Sequence, residues 1–193
     1  MKVDFHYVFR ALANEPECGD MGVIRDWDNH CFFGLVDALG HGQEAHDVAR
    51  LAIDYIEAHC QEDLVVMMRG LHERLKGSKG AVAALCLLNT ATGQLLHVGV
   101  GNITVKMMGS NPFSFVPRDG VIGFQIPAPR LNTRTVFPGD LLIMHSDGIR
   151  EHFSPLDHAG LLEGDARGVA GRLLDHCSKR DDDASCIVLR VLT

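Results

Sequence analysis

From Ala81 to His145 the chain offers one strand-like run after another, with no helix between them. "AVAALCLLN", "QLLHVGV", "NITVKMM", "TRTVF" and "DLLIMHS" are short and either apolar or alternating, and turn signals such as Asn89-Thr90-Ala91-Thr92-Gly93 and Pro138-Gly139-Asp140 divide them. Strands that follow each other directly pair antiparallel, because a parallel partner needs a long crossover. Three more runs come earlier, "VDFHYVF", "MGVIRDW" and "CFFGLVD", and "SCIVLRVL" comes last. Helical period is confined to three places. Ala45, Val48, Ala49, Ala52, Ile53 and Ile56 share one stripe, and Leu64, Met68, Leu71 and Leu75 share a second behind the N-cap candidate Asp63. Val169, Leu173, Leu174 and Cys177 form the third, behind Asp165. Two early helices followed by a block of strands predict an α+β fold with antiparallel sheets, not a doubly wound parallel sheet.

A length of 193 residues predicts one domain, 1–193, large enough to build a layered core. No apolar run reaches the ~20 residues of a membrane span, so no membrane partner is expected. The start "MKVDFHYVFR" places charges where a signal peptide needs an apolar segment. The six cysteines (Cys18, Cys31, Cys60, Cys86, Cys177, Cys186) form no C-x-x-C pair and suit reduced thiols in a cytoplasmic protein. A net charge of −7 argues against nucleic acid as a partner.

Chemistry enters with "LIMHSDGIRE". A run suited to a buried strand ends on the carboxylate of Asp147, which is costly unless something pairs with it. Asp37 ends "CFFGLVD" in the same way, Asp20 precedes "MGVIRDW", and Asp182 and Asp183 precede "ASCIVLRV". Any one of these taken alone reads better as a plain turn, and Asp181–Asp183 reads also as a solvated acidic loop. If the strand ends converge, like charges crowd together, and a hard divalent cation removes the conflict. Two such ions about 3.5–4 Å apart would activate a water and stabilise charge on a phosphoryl group.

The ordered set "CGD", "VDALGHG", "KGAVAAL", "VGVGN", "HSDGIRE" and "RDDDASCIVL" resembles the motif series of the PPM metal-dependent Ser/Thr protein phosphatases, in their bacterial SpoIIE-type branch. It runs from residue 18 to residue 190. The resemblance implies two packed antiparallel sheets flanked by helices, an αββα sandwich. It also implies two Mn²⁺ or Mg²⁺ ions and attack on phosphorus by a metal-bridging hydroxide. By motif position Asp37 bridges the metals, the Ala38 carbonyl ligates one of them, and Asp147 and Asp182 are further ligands. Asp20 is a metal ligand or stands just behind one. The catalytic set is therefore Asp37, Asp147 and Asp182. The family has glycine where Ala38 stands, and alanine tolerates a positive φ poorly. The triple Asp181-Asp182-Asp183 leaves the register open by one, and Asp182 is preferred because Ser185 then opens the strand where the family has threonine.

Gly40-His41-Gly42 opens the first helix, where free N–H groups could meet an anion and His41 could contact substrate. His145 reads as a core histidine or a neighbour of the site, and Lys76 and Lys79 as a solvated loop. Residues 109–138 read as a meandering connection. No H-E-x-x-H, G-x-S-x-G or P-loop motif occurs. The short stand-alone members of this branch serve stressosome signalling, which implies phosphorylated STAS-domain regulatory proteins as partners. Two rivals stand beside this reading: a PPM-fold binding module without chemistry, and a metal hydrolase for small phosphate esters.

Overall fold

Ten strands and three helices form among the described residues, 1–116, 118–151 and 160–192 of a computed structural model. In chain order they are β1 (Lys2–Arg10), β2 (Asp20–Trp27), β3 (His30–Ala38), α1 (Gly42–His59), α2 (Leu64–Arg74), β4 (Ala81–Asn89), β5 (Gln94–Val100), β6 (Thr104–Met108), β7 (Phe113–Ser114), β8 (Asn132–Thr135), β9 (Leu141–His145), α3 (Ala166–Cys177) and β10 (Ala184–Leu192). One sheet has the order β1-β10-β9-β6-β7 and the other β2-β3-β4-β5-β8. All pairings are antiparallel. The expected α+β sandwich of two antiparallel sheets is the fold observed.

Period-2 alternation builds the layers. In β3, Phe32 and Val36 face α1 and α2, while Cys31, Phe33 and Leu35 face the opposite sheet. Both faces of this strand are covered, so it reads as a continuous apolar run. The second sheet reaches the inter-sheet core with Leu142 and Met144 of β9 and Ile187, Leu189 and Val191 of β10. The other face of that sheet, with Leu141, Ile143, Cys186 and Val188, takes the Val169–Leu173–Cys177 stripe of α3.

The helix ends follow their caps. Asp63 accepts from the N–H groups of Val65 and Val66, and Asp165 from that of Gly168. Ile53 and Leu174, placed on the apolar stripes by period, sit at the margins of their helix contacts and are only partly buried. β7 escapes the periodicity argument because two residues show no period. The connection over 109–138, of which residue 117 lies outside the described residues, is stitched down at both ends of its central part. Ile122 pairs with Ala81, and the carbonyl of Arg118 accepts from the Gly101 N–H. All six cysteines are free. No helix among the described residues is long and apolar enough to cross a membrane.

Candidate functional site

The alternation that builds the inter-sheet core continues past its apolar end. Asp37 follows Cys31, Phe33 and Leu35 at the same parity, Asp20 precedes Ile24 at the same parity and lies opposite Asp37 in register, Ser146 follows Leu142 and Met144, and Ser185 precedes Ile187 and Leu189. One end of the space between the sheets is therefore lined by acids and hydroxyls instead of methyls.

Asp37, Ala38, Asp147 and Asp182 line a single cavity of about 220 Å³, with Leu39, Gly40, Val82 and Asn102 on its walls. Two close backbone approaches bring the acids together. A Cβ on Gly148 would sit 1.8 Å from the Asp183 carbonyl oxygen, so only glycine lets the Asp147 turn lie against the Asp182–Asp183 backbone. Ala38 is held from the other side, its N–H donating to the Gly19 carbonyl at 3.1 Å. The Asp triple divides its labour. Asp181 is exposed, Asp182 reaches the cavity, and Asp183 turns inward to accept from the N–H groups of Leu12 and Gly19, both at 2.7 Å. Ala38 is extended β-strand with a buried methyl, and it is not among the described residues with positive φ. The position does not call for glycine.

The charges here conflict. Burial, then the charges of Asp20, Asp147, Asp182 and Asp183, push the Asp37 carboxyl up to about 9. Asp182 is raised by burial and by Asp147. No basic residue lines the cavity. Asn102 is its sole amide, donating from Nδ2 to Asp147 Oδ2 at 2.8 Å and steadying that carboxylate. A crowded all-oxygen set with no counter-charge fits a hard divalent cation of the Mg²⁺ or Mn²⁺ type. Among the described residues no three His, Cys, Asp or Glu side chains already close on one point. Mg²⁺-class ions keep several waters and need only one or two carboxylates each, so the sparse set suffices.

Asp20 lies behind this cavity. It is 2% exposed, and its Oδ2 accepts from Ser146 Oγ at 2.6 Å and Ser185 Oγ at 2.8 Å. Burial raises it to about 7 even though these two hydroxyls favour its charge. His41 is the N-cap residue of α1, with its Nδ1 2.7 Å from Glu15 Oε1. The Glu15 carboxylate thus stands at the helix start, beside the residue that caps it. His145 is buried, its Nδ1 against the Ser146 carbonyl at 2.8 Å. Lys76 and Lys79 pair with Glu73 and Glu44 on the surface. The residues that sequence reasoning missed are Asn102, Ser146 and Glu15, and it left the inward turn of Asp183 undecided. Asn102 closes "VGVGN" and Ser146 has the parity of Met144, and these are the signals that point to them.

The Stage II sporulation protein E (SpoIIE) family matches residues 28–192, most of the chain. The chain belongs to the SpoIIE family. This bears out the resemblance to PPM-type phosphatases and, with it, the reading as a phosphoric monoester hydrolase. Among solved structures, a protein described in work on the bacterial stressosome, "a modular system that has been adapted to control secondary messenger signaling", is 31% identical. The match covers 98% of this chain and 100% of that one, with a TM-score of 0.92. RsbX in complex with magnesium is 21% identical, over 97% and 94% of the two chains, with a TM-score of 0.84. The phosphatase domain of SpoIIE from Bacillus subtilis shares the fold at 16% identity and a TM-score of 0.82, over 99% of this chain and 64% of that one. No curated protein matches by sequence.

Proposed function

We propose that this SpoIIE-family protein is a cytoplasmic, metal-dependent phosphatase that removes phosphate from phosphoserine or phosphothreonine in a regulatory protein, with two Mn²⁺ or Mg²⁺ ions as cofactors. The observation that carries the proposal is the single cavity in which Asp37, Asp147 and Asp182 meet without a basic partner. These carboxylates and the Ala38 carbonyl would hold the ions. When bound, such ions supply an activated water and offset charge on the phosphoryl oxygens. Asn102 occupies one oxygen of Asp147 and so restricts that carboxylate to one orientation. Asp20, tied to Ser146 and Ser185, sets the ends of β9 and β10 at a fixed spacing behind the ligands.

Cavity size favours a protein substrate over a small ester. About 220 Å³ admits a phosphoryl group and ions but falls below the ~300–1,000 Å³ that encloses a drug-sized molecule. The organic part of the substrate stays outside, where only a large partner surface supplies the remote binding energy that positions the phosphorus. The likeness to the stressosome protein and to RsbX supports a phosphorylated STAS-domain protein as that partner. The test compares kcat/KM in Mn²⁺ on a phospho-STAS protein, on a phosphopeptide cut from it, and on p-nitrophenyl phosphate, each with and without chelator. The folded phosphoprotein should be the best substrate, and chelator should abolish all three activities. Equal rates on protein and peptide would remove docking as the source of specificity. Activity that survives chelation would defeat the metal reading.

A further inference from the structure

At the end of the sheet that carries Asp37, three chains lie abreast. Ala38 pairs with Ala81, and Ala81 bridges to Ile122 through two hydrogen bonds, of 2.8 and 3.1 Å. One residue further out, the Leu39 N–H donates to the Gly80 carbonyl at 3.0 Å. Leu39 is exposed and forms part of the wall of the metal cavity. The turn around Ile122 is held closed. The Val121 N–H donates to the Gln125 carbonyl at 2.8 Å, and the Phe124 N–H to the Val121 carbonyl at 3.1 Å. Gly123 ties the turn to α2, its N–H donating to His72 Nδ1 at 3.1 Å.

This fixed turn presents a phenyl ring to water: Phe124 is 65% exposed. Gly80 lets the ring lean toward Leu39. A Cβ on Gly80 would sit 2.7 Å from Val121 Cγ1 and 3.0 Å from Phe124 Cδ2. Leu39, Val121 and Phe124 therefore meet across Gly80 as one apolar ledge at the rim of the metal cavity. Beyond Phe124 the ledge continues into an open hollow of about 460 Å³, with Val121, Phe124, Ile126 and Pro127 as its apolar wall and Asp119 as its one charged lining residue. Lys79, next to Gly80 in the chain, is engaged by Glu44. Single exposed apolar side chains are ordinary, whereas a contiguous apolar surface marks a place where something docks.

The position of the ledge says what docks there. A cavity of about 220 Å³ holds the phosphoryl group and ions, so the chain on either side of a phosphorylated residue must cross the rim. An extended chain advances about 3.3 Å per residue, and neighbouring chains of a sheet lie about 4.8 Å apart. The ledge from Leu39 across Gly80 to Phe124 thus lies within reach of the first three flanking residues. It offers an apolar side chain area to bury and offers a charged one no close partner. We propose that the ledge is a substrate subsite for an apolar side chain, Leu, Ile or Phe, within three residues of the phosphorylated one, and that Phe124 selects it. The proposal rests on the phosphatase reading and narrows its substrate class to phosphoprotein segments with an apolar neighbour.

The experiment measures kcat/KM in Mn²⁺ on phosphoserine peptides in which one Leu, Ala or Lys is walked through the three positions on either side of the phosphorylated residue. The proteins are the wild type, Phe124→Ser and Phe137→Ser, with p-nitrophenyl phosphate as a substrate that has no flank. Phe137 is a control, an exposed phenyl before β9, whereas Asp147 follows the other end of that strand. At one or more positions the wild type should prefer Leu over Ala by about threefold to tenfold, mainly in KM, a modest ratio because an open ledge leaves one face of the side chain in water. Phe124→Ser should bring that ratio to about one, and Phe137→Ser should keep it. Because each ratio is taken within one protein, a lower folded fraction cancels. The subsite is overturned if the wild type treats Leu and Ala alike at all six positions, if the preference survives in Phe124→Ser, or if it is lost in Phe137→Ser as well. A preference for Lys over Leu would also overturn it, since the Asp119 charge would then be the selecting feature. Hydrolysis of p-nitrophenyl phosphate with no gain from any flank defeats the ledge alone, while a wild type inert toward every peptide and toward p-nitrophenyl phosphate defeats the phosphatase reading and the ledge with it.

Discussion

Asp37 and Asp183 stand at the same end of the sandwich, and the fold treats them in opposite ways. Asp183 is 4% exposed and fully provided for, its two oxygens accepting from the N–H groups of Leu12 and Gly19. Asp37 is half-buried at the cavity wall, faces four other acids, and receives no side-chain hydrogen bond from any described residue. A satisfied buried carboxylate holds loops in place. A crowded and unsatisfied one is maintained against folding stability and needs a ligand to justify it. The difference separates the satisfied acid of this end from the candidate metal ligand more sharply than burial does.

The largest expected effect comes from exchanging amides for acids in this pair. Asp37→Asn should lower kcat/KM in Mn²⁺ by more than about a hundredfold, beyond the usual loss for a residue merely behind a metal ligand. The same change should leave the melting temperature of the metal-free protein unchanged or raise it, because it relieves the crowding. Asp183→Ala should behave in reverse. It strands two backbone N–H groups and costs roughly 2–4 kcal/mol, a fall in melting temperature of about 4–16 °C for a chain of this size. Activity assays and thermal melts on both variants check the pair. If Asp37→Asn were the less stable one, the contrast between the two acids would fail.

Next in size is the pH dependence of stability. Asp37 and Asp20 have folded-state values of about 9 and about 7 against 3.8 for an ordinary aspartate, so the folded metal-free protein binds more protons than the unfolded chain between these limits. Stability must therefore fall as pH rises from about 4 to about 9. His97, stacked on Phe115 in the inter-sheet region, carries the opposite sign. Burial lowers it to about 4 from 6.5, so its contribution is present above 6.5 and is lost as pH falls toward 4. Melting curves of the metal-free protein should show both arms. Saturating Mn²⁺ should lift the alkaline arm and leave the acid arm in place, because only the first belongs to the cavity. An equal lift on both arms would mean that the ions bind elsewhere.

Much of the fold is legible in the sequence because alternation and helical period are local. "CFFGLVD" announces β3 and both of its buried faces, and Asp63 and Asp165 announce their helices. β7 is not legible, since Phe113–Ser114 is too short to carry a pattern. Within the site, Asp37 and Asp147 stand out as acids that end apolar runs. The roles of their supports do not, because those roles arise from convergence. Ser146 and Ser185 reach Asp20 across 126 and 165 residues of chain, and no local pattern reports such a meeting. The triple Asp181-Asp182-Asp183 shows the same limit: three identical residues become one exposed, one lining the cavity and one buried, and only the path of the loop distinguishes them.

The smallest effect concerns Ala38, where motif resemblance and geometry diverge. A glycine at this place would imply a positive φ, and alanine would then strain the carbonyl that a metal needs. The residue instead extends β3, pairs with Ala81, and buries its methyl against α1. Its carbonyl is oriented by strand geometry and by the N–H bond to Gly19, neither of which depends on the side chain. Ala38→Gly should therefore leave Mn²⁺ affinity unchanged within about threefold, and it should cost about 1 kcal/mol through the lost methyl and a more flexible unfolded chain. Titration calorimetry with Mn²⁺ and a denaturant melt measure the two quantities. A glycine variant that bound Mn²⁺ ten times more tightly would show that the alanine backbone is held away from the geometry the ion prefers. Ala38 would then join Asp37 among the residues kept at a cost, and no longer stand with Asp183 among those the fold fully accommodates.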